Sequence, residues 1–183
     1  MNMDHFLEEV VQKRNSMMNR IIYYFSWLVL VMSAIAAAWG LNVLAYSLSQ
    51  GFDVVSLIFT LVSAGVAVCI FLFHDRLLKE YEYTFTNGAL DFAEVYNNKK
   101  RKSLGSLNVR TVDAFGKVSS GSFHRYLQSP GIKRMNWFLN RDAELYYFYF
   151  SKDSVKKMII FEPSEEMVTH IKSYIGYGVY QEN

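Results

Sequence analysis

Residues 21–48 read IIYYFSWLVLVMSAIAAAWGLNVLAYSL and residues 54–73 read VVSLIFTLVSAGVAVCIFLF; neither run contains Asp, Glu, Lys or Arg. A bilayer core about 30 Å thick is crossed by ~20 apolar residues in a helix. A helix satisfies its own backbone hydrogen bonds, which lipid requires. The two runs predict transmembrane helices over 21–48 and 54–73. The connection between them, Ser49-Gln50-Gly51-Phe52-Asp53, forces an antiparallel pair with both ends on one side of the bilayer. Lys13, Arg14 and Arg20 flank the first run, Arg76 and Lys79 the second, and the connection has no basic residue. Positive flanks stay in the cytoplasm, so a multi-pass protein of the cell (plasma) membrane is expected, with both termini cytoplasmic and 49–53 outside. Tyr23, Tyr24 and Trp27 suit the inner interface, and Tyr46 and Phe52 the outer one.

The remaining composition narrows the class. Residues 74–183 carry 16 basic and 13 acidic residues, an ordinary soluble balance, so the net charge of +2 sums two unlike pieces. A cleaved signal peptide fits Ala36-Ala37-Ala38, but the apolar run continues to Leu48 and the leader contains Glu8 and Glu9. The single cysteine, Cys69, makes neither an internal disulfide nor a multi-thiolate metal site, and there is no Asn-x-Ser/Thr sequon. The runs hold no Asp, Glu, His, Lys or Arg, which argues against a proton relay, an ion pathway or a pump. Small residues in the spans, Ala34-x3-Ala38, Ala36-x3-Gly40 and Ser63-x3-Ala67 with Gly65 beside them, let helix backbones approach closely. They serve packing within the hairpin or, alternatively, a face for a second copy or another membrane protein.

Residues 1–20 are expected to form a cytoplasmic amphipathic segment. Over 3–20, Phe6, Leu7, Val10, Met17 and Met18 oppose Glu8, Glu9, Gln12, Lys13 and Asn15 in a moderate helical pattern that extends the first span or lies on the inner leaflet. Residues 74–80 read as a linker and 81–183 as one small domain. Tyr81, Tyr83 and Phe85 alternate with polar residues up to Asn87-Gly88, the strongest short hairpin signal, because a type I′ turn needs positive φ at both positions. A returning strand covers 89–96 and a third strand 104–112. Between them Asn97–Lys102 reads as a polar connection. Residues 119–135 read as irregular, and later strands fall at 137–139, 145–150 and 155–161, the last two joined by a turn at Ser151-Lys152-Asp153-Ser154. Pro163 and Ser164 open a final amphipathic helix with Glu165 and Glu166 in its first turn. Met167, Val168, Ile171, Tyr174 and Ile175 form its buried face, and Gly176 ends it. The fold class expected is a membrane α-helical hairpin of two transmembrane helices plus an α+β domain, an antiparallel β-sheet or barrel capped by one C-terminal helix.

Three segments carry a resemblance: Tyr81-Glu82-Tyr83-Thr84-Phe85-Thr86-Asn87-Gly88, the basic Lys99–Lys102 run, and Ile159-Ile160-Phe161-Glu162-Pro163-Ser164-Glu165-Glu166-Met167. With the paired spans in front, the chain resembles an uncharacterised bacterial family of two-span membrane proteins with a C-terminal cytoplasmic PH-like (pleckstrin-homology-like) domain. The resemblance implies a binding role and assigns no catalytic residue. The 119–135 stretch departs from a minimal PH pattern.

No catalytic signature is visible. His5, His74, His124 and His170 are scattered; Gly116-Lys117-Val118 is not a phosphate loop; Gly121-Ser122 lacks the glycine of a nucleophile elbow. Glu165-Glu166 reads as helix-start charge. No cofactor and no metal site are expected. Lys99, Lys100, Arg101 and Lys102 are either a solvated turn or a contact for anionic lipid headgroups, at about 1 kcal/mol per cation near such a leaflet. Nucleic acid is not expected, for want of a broad basic face. Phe123, His124, Arg125 and Tyr126, with Lys133, Arg134 and Trp137, suit a partner surface or a loop pinned to the sheet by Phe123 and Trp137. The expected function is a non-enzymatic membrane-anchored binding or scaffold module at the inner leaflet. The alternatives are a structural or regulatory subunit of a larger membrane complex and a membrane enzyme of unknown type.

Overall fold

A computed structural model describes residues 5–182; residues 1–4 of the expected N-terminal segment, and Asn183, lie outside the described residues. The chain forms two compact units. One is Asn15–Lys79; the other joins the chain up to Arg14 with the chain from Glu80 onward.

The helical unit holds α1 (Ser16–Gln50) and α2 (Val54–Phe73), so the first helix is longer than the apolar run that announced it. Both are long and apolar enough to cross a membrane, and only 6% of either apolar window is buried. Ile35, Trp39, Ile58, Leu61 and Phe71 are exposed. A core helix of a soluble protein hides such residues; these need lipid. The less exposed residues of α1, Ser26, Leu30, Ser33, Ala37, Gly40, Leu44 and Ser47, recur at alternating steps of four and three, as do Leu57, Thr60, Ala64 and Ala67 of α2. That spacing is the seam of a left-handed helix pair. At its centre Gly40 lies on Thr60: a Cβ on Gly40 would sit 2.1 Å from Thr60 Oγ1. Asp53 starts α2 by accepting hydrogen bonds from the Val55 and Ser56 amides at 3.0 and 3.2 Å and from the Ser56 hydroxyl, so the tight connection doubles as a cap. The expected linker is instead a 3-10 turn, His74–Leu78. His74 is buried beside Tyr23 and Trp27, with ring centroids 5.6 and 5.0 Å away.

The β-rich unit begins earlier than expected. Phe6–Val11 is a strand, β1, not part of a helix. It pairs antiparallel with β2 (Lys79–Thr86), from Phe6 opposite Thr86 to Val11 opposite Tyr81. Leu7 and Val11 pack on the core while Phe6, Glu8 and Val10 face out, which is the period of two. The hairpin of helices is therefore inserted between the first two strands of one sheet. β3 (Ala89–Tyr96) follows the Asn87-Gly88 turn, whose φ values of 50° and 95° are those a type I′ turn demands. β4 (Lys100–Asn108) completes a sheet ordered β1-β2-β3-β4. The third strand thus lies four residues earlier than expected; Val109–Thr111 is a 3-10 turn.

The second sheet is ordered β6-β8-β7-β5-β9, from β5 (Ala114–Lys117), β6 (Lys133–Trp137), β7 (Tyr146–Lys152), β8 (Val155–Phe161) and β9 (Tyr180–Gln181). Two of its pairings, β6 with β8 and β5 with β9, are parallel. The 119–135 stretch is not irregular: Gly121–Leu127 is a helix, α3, and β6 begins at Lys133 and ends at Trp137, where a strand had been expected to start. Tyr83, Phe85, Phe92, Phe115, Phe148 and Phe161 fill the space between the sheets. α4 (Glu165–Tyr174) closes it with Met167, Val168 and Ile171, its first turn capped by the Ser164 hydroxyl accepting from the Met167 amide at 3.1 Å.

Candidate functional site

The basic run was expected to be a polar connection; from Lys100 onward it is a strand. The chain turns at Asn97 and Asn98, both with positive φ, and Lys100, Arg101 and Lys102 then lie on β4, the outer strand of its sheet. Edge strands accept charge because it deters pairing with other chains. Side chains alternate along a strand, so only Lys100 and Lys102 share a face, with Lys99 in the turn before them. Arg101 points the other way and pairs with Glu82 at 2.9 Å.

The second expected surface divides into anchors and exposed cations. Phe123 is buried on α3 against Tyr147, with centroids 5.4 Å apart, and Tyr126 stacks on Tyr149 at 4.5 Å. Trp137 packs on Phe92 at 4.7 Å, and its carbonyl accepts from the Tyr83 hydroxyl. Phe123 and Trp137 are therefore the pins of the alternative reading. His124, Arg125, Lys133 and Arg134 are exposed. Arg125 lies over the Tyr126 ring at 5.1 Å and reaches Gln181 Oε1 at 3.3 Å; Lys133 and Arg134 stand on the outermost strand of the second sheet. In the spans, Gly40 sits in the helix seam and Ser63 and Ala67 partly so, whereas Ala34, Ala38 and Gly65 face outward.

Three arrangements were invisible to spacing. His5 and His170, 165 positions apart, meet edge to face with centroids 5.5 Å apart. Ser120, Ser122 and Tyr147 form a buried hydroxyl chain, with 2.8 Å between the serines and 2.9 Å from Ser122 to the phenol. Burial raises the Tyr147 pKa, so the phenol keeps its proton and the chain carries no charge. The Ser120 hydroxyl donates to the Lys117 carbonyl at 2.7 Å, and neither that carbonyl nor the other hydroxyls is a base that could take a proton, so the chain does not make a nucleophile. Among the described residues no group of three or more His, Cys, Asp or Glu side chains is placed to hold a metal.

The third arrangement is a cleft of about 770 Å³ along β1, lined by residues 7–12 and Arg14, by Asn140, Ala143, Glu144 and Tyr146, and by residues 162–166 at the start of α4. Buried Asn140 organises its end. Its side-chain amide donates to the Gln12 carbonyl at 3.0 Å and to Glu162 Oε1 at 2.8 Å, and its oxygen accepts from the Arg14 amide at 2.8 Å. Arg14 pairs with Asp142, and Glu9 takes both the Ser164 amide, at 3.0 Å, and its hydroxyl. Glu144 pairs with Lys117, whose ammonium the carboxylate holds above the ordinary lysine range.

No curated protein and no solved structure matches the chain. A family model described as "Bacterial PH-like domain (DUF6106)" matches residues 3–181, which takes in β1, both apolar helices and the β-rich unit together. Two helices able to span a membrane, followed by sheets and a closing C-terminal helix, are what the resemblance implied, and the chain belongs to this bacterial PH-like domain family.

Proposed function

We propose that the protein is a non-enzymatic, membrane-anchored binding module that holds its PH-like domain at the inner leaflet of the bacterial plasma membrane. The observation that carries this reading is the pairing of β1 with β2 on either side of the helical insertion. Paired strands share a compartment, so the chain between them crosses the bilayer an even number of times, in keeping with two spans and with both termini on one side. The basic flanks Lys13, Arg14, Arg20, Arg76 and Lys79 favour the cytoplasmic side. Domains of PH-like fold are generally binding rather than catalytic modules. Attachment at two points gives the domain a high effective concentration for anything at the membrane surface.

Anionic lipid headgroups are the proposed ligand of Lys99, Lys100 and Lys102. With Arg101 facing Glu82, Lys100 and Lys102 alone are worth about 2 kcal/mol before screening. The test uses the full chain, because a fragment starting at residue 80 lacks β1. Ser103→Cys in a Cys69→Ser background is labelled with a fluorophore in proteoliposomes that carry a headgroup-linked quencher. Quenching should rise when phosphatidylglycerol replaces neutral lipid and fall in the Lys100→Glu/Lys102→Glu variant; equal quenching in both lipids refutes lipid binding. In intact cells an impermeant thiol reagent should label Ser49→Cys and spare Ser103→Cys.

A second reading, a subunit of a larger membrane complex, is favoured by Ala34 and Ala38, which face away from the seam, and by exposed Asn42, whose amide donates to the Ala38 carbonyl of its own helix at 2.9 Å. An Ala38→Cys variant that crosslinks to a second polypeptide in native membranes supports it; a chain that stays monomeric with nothing attached counts against it.

A further inference from the structure

We infer that the cleft along β1 receives an extended, cationic segment of a partner protein, added to the first sheet as an outer strand. The backbone sets this up. β1 is the terminal strand of its sheet and, among the described residues, pairs with β2 alone. The Asn87 amide donates to the His5 carbonyl at 3.0 Å, and the His5 amide donates to Asn87 Oδ1 at 3.0 Å. His5, Leu7, Glu9 and Val11 therefore turn their backbone groups to β2, because antiparallel pairs alternate. Phe6, Glu8 and Val10 turn theirs to the open side. The unpaired edge stops at Gln12, whose carbonyl, with the Arg14 amide, is taken by Asn140. Asn140 thus imitates the next rung of a ladder and marks where an incoming strand must end.

Charge selects the occupant. Glu8, Glu9, Glu144, Glu162, Glu165 and Glu166 line the cleft against one cation, Arg14, which Asp142 already holds. Glu9, Glu144 and Glu162 have partners; Glu8, Glu165 and Glu166 form no ion pair among the described residues. Phe6 and Val10, 60% and 50% exposed, flank Glu8 on the same face of the strand. An occupant whose every second residue runs apolar, basic, apolar meets both features on that face: main-chain bonds supply affinity and alternate side chains supply selection. A second copy of β1 is disfavoured, since antiparallel pairing would set the Glu8-Glu9 pairs against each other. The inference is independent of lipid binding, which concerns the opposite edge of the sheet.

The test uses the full-length protein in nanodiscs of neutral lipid with Lys100 and Lys102 intact, so that failure here leaves the headgroup reading untouched. The probe is a labelled, end-blocked peptide repeating Val-Thr-Lys-Thr, which sets valine and lysine in turn along one face. Its twin is N-methylated along one edge, keeping charge and shape while losing the main-chain donors. Saturable binding of the first by fluorescence anisotropy is expected, weakened about tenfold or more for the twin through loss of two or three hydrogen bonds. Amide exchange should slow on binding at Phe6, Glu8 and Val10. Val10→Pro removes an outward amide without breaking a bond to β2 and should weaken the peptide by a similar factor. Should that variant not fold, Glu8→Lys, a solvent-facing change, carries the test by weakening binding and flattening its salt dependence. Equal binding of both peptides, or no saturable binding, overturns the inference. So does peptide-free self-association that Val10→Pro abolishes, which would make a second copy the occupant.

Discussion

Asn140→Ala should cost the domain about 2–4 kcal/mol and release β1 first. The side chain is 6% exposed and makes three hydrogen bonds, two to the backbone of Gln12 and Arg14 and one to the Glu162 carboxylate. A neutral hydrogen bond contributes ~1 kcal/mol net and one to a charged group ~1.5–3, with the orphaned partners adding desolvation. Gln12 and Arg14 are exposed enough for water to replace part of the loss, which sets the range below the full sum. The loss is a large fraction of the ~5–15 kcal/mol that holds an ordinary domain together. The assay is denaturant unfolding of the full-length protein in nanodiscs, followed by tryptophan fluorescence, with hydrogen exchange read at the β2-facing amides of Leu7, Glu9 and Val11. Exchange there should accelerate by about thirtyfold or more, from 2 kcal/mol or more of lost protection, while β7 and β8 change less. A midpoint within about 0.5 kcal/mol of the parent, or acceleration spread evenly over both sheets, refutes the assignment of Asn140 as the clasp on the first strand.

Gly40→Ala should destabilise the helix pair by ~1–3 kcal/mol, because its methyl meets Thr60 Oγ1 and the Thr60 hydroxyl is itself bonded to the Ser56 carbonyl at 2.7 Å. Thr60→Ala should relieve part of that cost, read as non-additivity in a double-mutant cycle of helix separation in bicelles. Stability of the β-rich unit should fall at high pH. Burial raises the Tyr83 phenol far above its ordinary range and raises Tyr147 as well. Both groups favour the folded state in full below the ordinary phenol pKa of ~10, and that contribution is lost as pH climbs beyond it, where only the unfolded chain ionises freely. Melting temperatures across an alkaline series should show the decline, and Tyr83→Phe should flatten it while lowering neutral-pH stability through the lost bond to the Trp137 carbonyl. Deleting residues 1–14 should bare the edge of β2 and yield an aggregating domain by light scattering.

What the amino-acid order disclosed depended on how local the physics was. The two apolar helices, the Asn87-Gly88 hairpin and α4 with its Ser164 cap are decided by nearby residues; the hairpin and α4 stood where they were read, and α1 runs past its apolar stretch at the front. β1 was misread because Phe6 with Val10, and Leu7 with Val11, recur at a helical step, while its partner strand lies beyond both spans. The Lys99–Lys102 run read as a connection because four cations suggest solvent; an outer strand offers solvent too. Phe123, Tyr126 and Leu127 hold the i, i+3, i+4 step of α3, hidden among Ser, Gly and Pro. The cleft was not legible at all. Its carboxylates come from β1, the segment before β7 and the start of α4, and only the strand pairing across the spans brings them together.

That interleaving has a consequence for biosynthesis. At a ribosomal pace of ~5–20 residues per second, Asn87, 82 positions beyond its partner His5, emerges roughly 4–16 s after it. Throughout that interval the leading strand has no mate, and both apolar segments are delivered before one exists. The first sheet therefore closes only after both apolar helices have been synthesised.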